Sequence, residues 1–197
     1  MQGPFHRREG QGADVAGPAL GLIETTSVAR GLVVADAMVK KAPVELVLSR
    51  PVSSGKHVTL VSGEVADVDE AMACAIETAG ATLVDRLTLP QAAEALLAAL
   101  RRHAPSPAVD DAVGIFETFS VASALHAADA ACKAAAVELA ELRLADGLGG
   151  KAYFVISGPQ GDVEAALFAA EHVTPTGMLL ARELIARPHE ELLKHLK

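Results

Sequence analysis

The stretch "ALGLIETTSVARGLVVADAMVKKAPVEL", residues 19–46, occurs a second time in the chain as "AVGIFETFSVASALHAADAACKAAAVEL", residues 112–139. The offset is constant (112 − 19 = 93), and 16 of the 28 aligned positions are identical. After a gain of two residues the match resumes at an offset of 95, where Gly55 aligns with Gly150. The chain therefore carries an internal duplication, and its fold is built from one unit used twice.

The first half of each repeat predicts a strand followed by a helix. "ALGLIE" is an almost continuous apolar run, which is typical of a short buried strand. Ser27 and its counterpart Ser120 are placed as N-caps of a helix that reaches about Ala42 in repeat one and about Ala135 in repeat two.

The second half of each repeat predicts three more strands and two more helices. "VELVLSR" and "KHVTLVSG" flank a turn as an antiparallel pair, and "EVADVDEAMACAIETAG" has helical spacing of its apolar residues with Gly80 at its end. "TLVDRLTL" is a fourth strand, and a short helix follows it. The order β-α-β-β-α-β-α predicts an α/β protein of the α+β type. It consists of two tandem ferredoxin-like domains, each a four-stranded antiparallel sheet with helices on one face.

Composition shifts set the predicted domain bounds. Residues 1–18 are rich in Gly and charge and are expected to form a flexible tail. The first domain is predicted over residues 19–102 and the second over residues 111–197, joined by a linker at residues 103–110 within the Pro-containing "RRHAPSPAVDD".

Charge and hydropathy exclude several classes of function. The net charge of −8 argues against nucleic acid as a partner, because such proteins need a basic surface. The sequence has no run of about 18 apolar residues, the length needed to span a membrane. Its first residues lack an export signal, so a cytoplasmic protein is expected. Cys74 and Cys132 lie far apart inside helical patterns and are expected to be buried thiols, not a redox or metal site.

No catalytic residue and no metal ligand set is predicted. His57 and His126 are isolated from other ligands, and no triad, zinc or nucleotide-binding motif occurs. Glu24 and Glu117 end the first strand of each repeat and have two interpretations. In the first, the two carboxylates form a pair for acid–base chemistry. In the second, which is favoured, each carboxylate accepts hydrogen bonds from backbone amides at the start of a nearby helix.

The two-residue insertion between the repeats falls in a turn of small residues. The nine residues of "SRPVSSGKH", 49–57, correspond to eleven in repeat two, residues 142–152, which contain "LADGLGGKA", and insertions are tolerated in exposed loops and not in strands. Small residues in such loops let the backbone come close to another group. A lysine, Lys56 or Lys151, follows each loop and adds positive potential to an acidic protein.

Three motifs resemble the bacterial microcompartment shell domain: "GLIETTSVARGLVVADAMVKKAPVELV", "SSGKHVTLVSGEVADVDEAM" and "IARPHEEL". The unpermuted tandem layout resembles the trimeric tandem-domain shell proteins, including those of propanediol utilisation. The resemblance implies a structural, non-enzymatic protein whose homotrimers form pseudohexameric tiles with a central pore for small metabolites. Its implied partners are further copies, hexameric and pentameric shell proteins and the encapsulated enzymes, in the shell of a microcompartment in the cytoplasm.

The resemblance also implies roles for particular residues. The residues it places at the tile edge are Lys40, Lys133 and Arg187. The residues it places along the pore are Ser53, Ser54, Gly55, Gly147, Leu148, Gly149 and Gly150. Related shell proteins of propanediol utilisation hold an iron–sulfur cluster with a cysteine where Ser53 stands. Serine is a poor ligand for such a cluster, so no cofactor is expected.

A second class of function is compatible with the same repeats. Two ferredoxin-like units also build soluble ligand-binding or signalling proteins, in which the glycine-rich loops hold a phosphate-containing ligand. "GLGG" at residues 147–150 enters a strand and not a helix N-terminus, so it lacks the helix dipole that supports phosphate binding.

Overall fold

Each repeat folds into a four-stranded antiparallel sheet with two long helices and a short one. The structure is a computed structural model that describes residues 18–100, 111–145 and 147–194. The elements of the first repeat are β1 (Ala19–Thr25), α1 (Val28–Lys41), β2 (Glu45–Val52), β3 (Lys56–Gly63), α2 (Val65–Ala79), β4 (Leu83–Leu89) and α3 (Glu94–Leu100). Those of the second are β5 (Ala112–Thr118), α4 (Val121–Ala134), β6 (Glu138–Leu144), β7 (Ala152–Gly158), α5 (Gln160–Val173), β8 (Leu179–Ala186) and α6 (Glu190–Leu193).

The two sheets have the same strand order. It is β2-β3-β1-β4 in the first and β6-β7-β5-β8 in the second, with every neighbouring pair antiparallel. The predicted fold class is therefore confirmed, and the repeats are unpermuted. Apart from Pro18, the predicted tail lies outside the described residues, and so does the predicted linker.

The helices begin and end where the sequence predicts. The Ser27 side chain accepts a hydrogen bond from the Arg30 N–H at 3.2 Å, and Ser120 does the same for Ser123 at 3.1 Å. These bonds satisfy amides that have no partner inside the helix. The second helix of repeat one stops at Gly80, whose φ of 53° is a left-handed conformation that glycine adopts without strain.

The central strand β1 is buried on both faces, since all seven of its residues are buried. Gly21 and Ile23 lie on the face covered by α1 and α2; a Cβ on Gly21 would lie 2.7 Å from Cγ of Met72. Leu20 and Leu22 lie on the opposite face, which we call the back face. The helices of the first repeat cover only one of the two faces.

Helix α4 of the second repeat covers this back face. Leu125 and Val121 of α4 belong to the same buried cluster as Leu20 and Leu22, and the cluster continues into the second sheet. Nine of the fourteen residues of α4 are buried, against four of fourteen in α1. The first sheet thus has helices on both faces, one set from each repeat, where the sequence predicted helices on one face of each sheet.

Helix α1 approaches β3 closely because residue 31 has no side chain. A Cβ at Gly31 would lie 2.4 Å from both Cβ and Cγ of His57. The imidazole is 1% exposed, and its Nε2 lies 2.9 Å from Oγ of Ser49. Burial lowers the pKa of His57 below its usual value, so the ring is neutral at pH 7. Repeat two has alanine at both equivalent positions, Ala124 and Ala152.

We predict that Gly31→Ala lowers the free energy of unfolding by about 1–3 kcal/mol, because the added methyl group overlaps the fixed part of the His57 side chain. This loss exceeds the gain of about 1 kcal/mol in helix propensity. In a His57→Ala background the same change should cost nothing, since it copies the alanine pair of repeat two. Urea unfolding of the four variants measures both effects.

Gly161→Ala is the matched control, because nothing lies within 4 Å of a Cβ at Gly161 in α5. Its stability should equal or exceed that of the wild type. An equal cost of Gly31→Ala in both backgrounds would show that His57 is not the obstacle.

Candidate functional site

The two small-residue loops lie side by side within one chain. We call residues 53–55 and 147–150 the loop pair. The Gly147 N–H donates a hydrogen bond to Oγ of Ser53 at 3.0 Å, and Oγ of Ser54 donates to the Gly149 carbonyl at 3.5 Å. Residues 94 and 95 positions apart in sequence are thereby brought together.

The backbone of the loop pair favours glycine, and space restricts one position further. Ser54, Gly55, Gly147, Gly149 and Gly150 all have positive φ. At Gly150, with φ of 87°, a Cβ would also lie 3.0 Å from Oγ of Ser54. The structure thus places all seven predicted pore residues in one cluster.

Exposure within the loop pair varies by position. Ser54, Gly55, Gly147 and Gly149 are exposed, Ser53 and Leu148 are half-buried, and Gly150 is buried. The groups that this cluster offers to solvent are a hydroxyl and backbone amides and carbonyls. None of its residues is a cysteine, so the loop pair does not fit an iron–sulfur cluster, which needs soft thiolate ligands.

The lysine behind each loop faces a glutamate. Nζ of Lys56 lies 3.9 Å from Oε2 of Glu24, and Nζ of Lys151 lies 3.3 Å from Oε1 of Glu117. The positive potential that the sequence predicts here is therefore offset by a carboxylate in each repeat.

Glu24 binds the start of a helix, as the favoured interpretation predicts, but the helix belongs to the other repeat. Its Oε1 accepts a hydrogen bond from the Ala122 N–H at 2.8 Å, in the first turn of α4. Burial raises the pKa of Glu24 above its usual value, against the opposing effects of the Ala122 amide and of Lys56. The carboxylate joins the two domains at a buried position with 0% exposure.

Asp85 of β4 completes this contact. Its Oδ2 accepts hydrogen bonds from the hydroxyls of Ser120 and Ser123, the latter at 3.3 Å. We call the back face of the first sheet together with α4 the seam. Asp85 was not identified from the sequence; the signal was an acidic residue on the same face of β4 as Leu87 and Leu89, with Ala181 at the paired position of repeat two.

The three predicted edge residues have different surroundings. Lys40 is 73% exposed and pairs with Asp36 at 2.6 Å, and Arg187 is exposed. Lys133 pairs with Asp129 at 2.6 Å and donates to the carbonyl of Gln91 in the first repeat. Lys133 therefore contributes to the seam within the chain, whereas Lys40 and Arg187 lie on the outer surface.

Other types of site find little support in the described part of the chain. No group of three or more His, Cys, Asp or Glu residues is arranged to hold a metal there. Among the same residues, no helix is long and apolar enough to cross a membrane. Cys74 and Cys132 are half-buried, where the sequence predicted buried thiols. Burial, with a smaller contribution from Asp129, raises the pKa of Cys132 to about 11, so its thiol is protonated at neutral pH.

The duplicated sheet and its loop pair correspond to a known family model. The model of the BMC domain, the bacterial microcompartment domain, matches this chain twice, over residues 19–92 and 112–188. The chain belongs to the BMC domain family. The two matches cover the two sheets that the structure shows, so each repeat is one BMC domain.

Two relatives match this chain over about nine-tenths of its length. The chain is 40% identical over 181 residues to the microcompartment shell protein PduT of Citrobacter freundii, covering 90% of this chain and 97% of PduT. A solved microcompartment protein of Desulfitobacterium hafniense is similar with a TM-score of 0.83 and 36% identity, covering 91% of this chain and 99% of that one.

More distant relatives match in part or in fold. The major carboxysome shell protein CsoS1A of Halothiobacillus neapolitanus is 45% identical over 60 residues, covering 30% of this chain and 61% of CsoS1A. The fused permuted hexameric shell protein of the RMM microcompartment shares the fold with a TM-score of 0.61 at 21% identity, over 80% of this chain and 81% of that one.

These findings decide between the two classes of function. The protein is a structural component of a bacterial microcompartment shell, and its BMC domains are structural and not catalytic units. The prediction of a shell protein is confirmed. The alternative, a soluble ligand-binding or signalling protein, is set aside, since a shell protein, PduT, is similar over 90% of the chain.

Proposed function

We propose that three copies of this chain close into a ring of six BMC domains, a pseudohexameric tile whose central pore carries small metabolites across the shell. The observation that carries the proposal is the seam. Within one chain, the back face of the first sheet is covered by the first helix of the second repeat. The duplication supplies the same two surfaces once more, and there the helix face is exposed and the sheet face is only partly buried.

The first uncovered surface lies on α1. Leu125 of α4 is 0% exposed in the seam, whereas its counterpart Leu32 on α1 is 55% exposed. A leucine with that exposure is removed from water when a sheet covers it, as Leu125 is covered here. The exposed face of α1 is therefore the counterpart of the buried face of α4.

The second surface is the back face of the second sheet, which is buried at Val113 and Val155 but more accessible towards β8. Glu183 on this face is exposed and Ile115 is half-buried, whereas their counterparts Leu87 and Leu22 are buried in the seam. Glu117, the counterpart of Glu24, also lies on this face. In the ring, Glu117 accepts the amide hydrogen of Ala29 of the next copy, as Glu24 accepts that of Ala122. Each copy thus offers one surface to either neighbour, which is the condition for a closed ring.

We predict a homotrimer of about 61 kDa, three times the chain mass of 20.3 kDa, with an obligate interface of roughly 2,000 Å² or more in total. Leu32→Glu should dissociate it, because the seam between copies would then bury an unpaired carboxylate. Light scattering coupled to size exclusion measures the mass.

The control is Leu46→Glu, which changes a leucine of similar exposure, 42%, on β2. It should leave the trimer intact. A wild-type monomer at micromolar concentration contradicts the proposal, and so does a trimer that survives Leu32→Glu.

The loop pair supports the position of the pore. Because its two loops contact one another within a chain, three chains bring six loops together around the ring axis. The Ser54 hydroxyl and the glycine backbone groups then line the opening. Such groups replace part of the water around a passing solute, which favours small polar metabolites, neutral or anionic.

We expect Ser53→Cys to place three thiols around one axis. A short bifunctional maleimide should then join chains of one trimer, and anaerobic reconstitution with iron and sulfide should give a coloured protein with about one cluster per trimer. Leu46→Cys carries a thiol away from the axis and should show neither result. If Ser53→Cys also gives neither cross-link nor colour, the loop pair is not at the axis.

The tile edge is the proposed contact with neighbouring tiles and with hexameric and pentameric shell proteins. Lys40 and Arg187 lie on the outer surface and remain available to a neighbour. Lys133 is already engaged with the carbonyl of Gln91. Lys40 and Arg187 are therefore suited to contact a neighbouring tile directly, whereas Lys133 is not. The equivalent lysines of the two domains thus differ in their availability.

We predict that Lys40→Asp and Arg187→Asp weaken the assembly of tiles into sheets, seen by negative-stain microscopy, while the mass of the trimer is unchanged, because they reverse charge only at the edge. Lys133→Asp should also lower the stability of the chain, since it breaks contacts of the seam. Arg143→Asp makes the same charge change at a side chain paired with Glu141 and should leave sheets intact. Sheets that form normally from both edge variants would contradict the assignment.

A further inference from the structure

An open cavity of about 540 Å³ lies beside the seam, where α2 and β4 of the first repeat meet α4 of the second. Ala73 and Ile76 of α2, Arg86 of β4 and His126 of α4 are among the residues that line it. Ala73 has a small side chain and His126 a polar one, and neither fills the cavity. The two domains nevertheless stay joined, since α4 is held elsewhere by Leu125 and by Glu24.

Ala73 and His126 both have a different residue at the equivalent position of the other repeat. Ala73 aligns with Phe168 of α5 (73 + 95 = 168), and His126 aligns with Val33 of α1 (126 − 93 = 33). The alignment holds in three dimensions, because Met72 contacts Gly21 as Leu167 contacts Gly114. Phe168 therefore points from α5 as Ala73 points from α2.

Both substituted residues are apolar and exposed in the single chain. Phe168 is 68% exposed, the most of any large apolar side chain in the described residues, and Val33 is 50% exposed. An aromatic ring buries 150–250 Å² when it is covered, roughly as much as any side chain offers. An exposed ring of this kind indicates an interaction surface.

We propose that Phe168 anchors the seam between copies by packing against Val33 of the next copy, in the space that remains an open cavity within each chain. This inference rests on the trimer proposed above, and its partner is a second copy of this chain. The two kinds of seam in the ring are then chemically different: an aromatic–aliphatic contact between copies, and a cavity lined by His126 inside each copy.

The difference has a physical reason. The two domains of one chain are covalently joined, so their seam is held at a high effective concentration and tolerates a cavity. The seam between copies must overcome the loss of translational and rotational freedom, which calls for a strong central contact. Interfaces commonly meet this need with a buried aromatic residue enclosed by polar groups.

The surroundings of Phe168 provide such polar groups. Glu171 and Arg182 form an ion pair between α5 and β8, at the positions that Ile76 and Arg86 occupy beside the cavity. In repeat one, Ile76 is apolar and leaves Arg86 without this carboxylate. The ion pair thus borders the exposed ring of Phe168 on the surface that faces the next copy.

The first experiment measures exchange of subunits between two differently labelled pools of intact protein. Phe168→Ala should speed exchange roughly 30-fold or more, because it truncates the central contact of the seam between copies. Ala73→Phe places the same ring in the cavity within each chain and should leave exchange unchanged. Leu46→Ala removes an exposed apolar side chain outside the seam and should also have no effect.

The second experiment uses the double variant Val33→Cys with Phe168→Cys. Mild oxidation should join three chains covalently, because each seam between copies then holds one pair of thiols, while either single variant should give no such product. Covalent trimers support the proposal, and cross-linked polymers longer than three chains overturn it. Phe168→Ala that exchanges like the wild type also overturns it.

These outcomes are distinct from failure of the proposed function. If the wild type is a trimer and Phe168→Ala has no effect on exchange, the trimer stands and only the anchor is wrong. If the wild type is a monomer, both proposals fail together.

Discussion

The back face of the first sheet imposes the constraint on which the rest of this structure depends. Leu20 and Leu22 point away from the helices of their own repeat, and leaving such a face in water would forfeit much of the hydrophobic stabilisation of the sheet. Helix α4 covers it, and the buried carboxylate of Glu24 binds the amide of Ala122 at the start of that helix. A BMC domain is therefore a unit that completes its core with the first helix of another unit.

Duplication of such a unit leads directly to assembly. One chain meets this need once, in the seam, and the duplication repeats it at the exposed face of α1 and at the partly buried back face of the second sheet. The sequences of α1 and α4 differ in keeping with their surroundings, since α1 is largely exposed and α4 largely buried in the single chain. Arg30 of α1, which is exposed, is replaced in α4 by Ser123, which is buried. The same two domains also set the loops of the loop pair side by side, as the proposed pore requires.

The fold was largely predictable because its signals are local. Caps at Ser27 and Ser120, the glycine at residue 80 and the apolar runs of the strands depend on neighbours within a few residues. The site was predictable only in part. Four of the seven loop residues and Lys40 are exposed, as the sequence suggested, but the contact of Lys133 with Gln91 and the role of Asp85 depend on residues 35 or more positions away.

The sequence alone determined the two repeats, the order and bounds of their helices and strands, and the family to which they belong, because repetition and periodicity are written in the order of residues. Only the tertiary structure decided which surfaces meet. Periodicity shows that a strand has two apolar faces, but not which helix covers each. Glu24 and Ala122 are 98 positions apart, and nothing in the pattern around either residue identifies the other as its partner. Partners of this kind are selected by shape and by the burial of complementary groups, which exist only once the chain has folded.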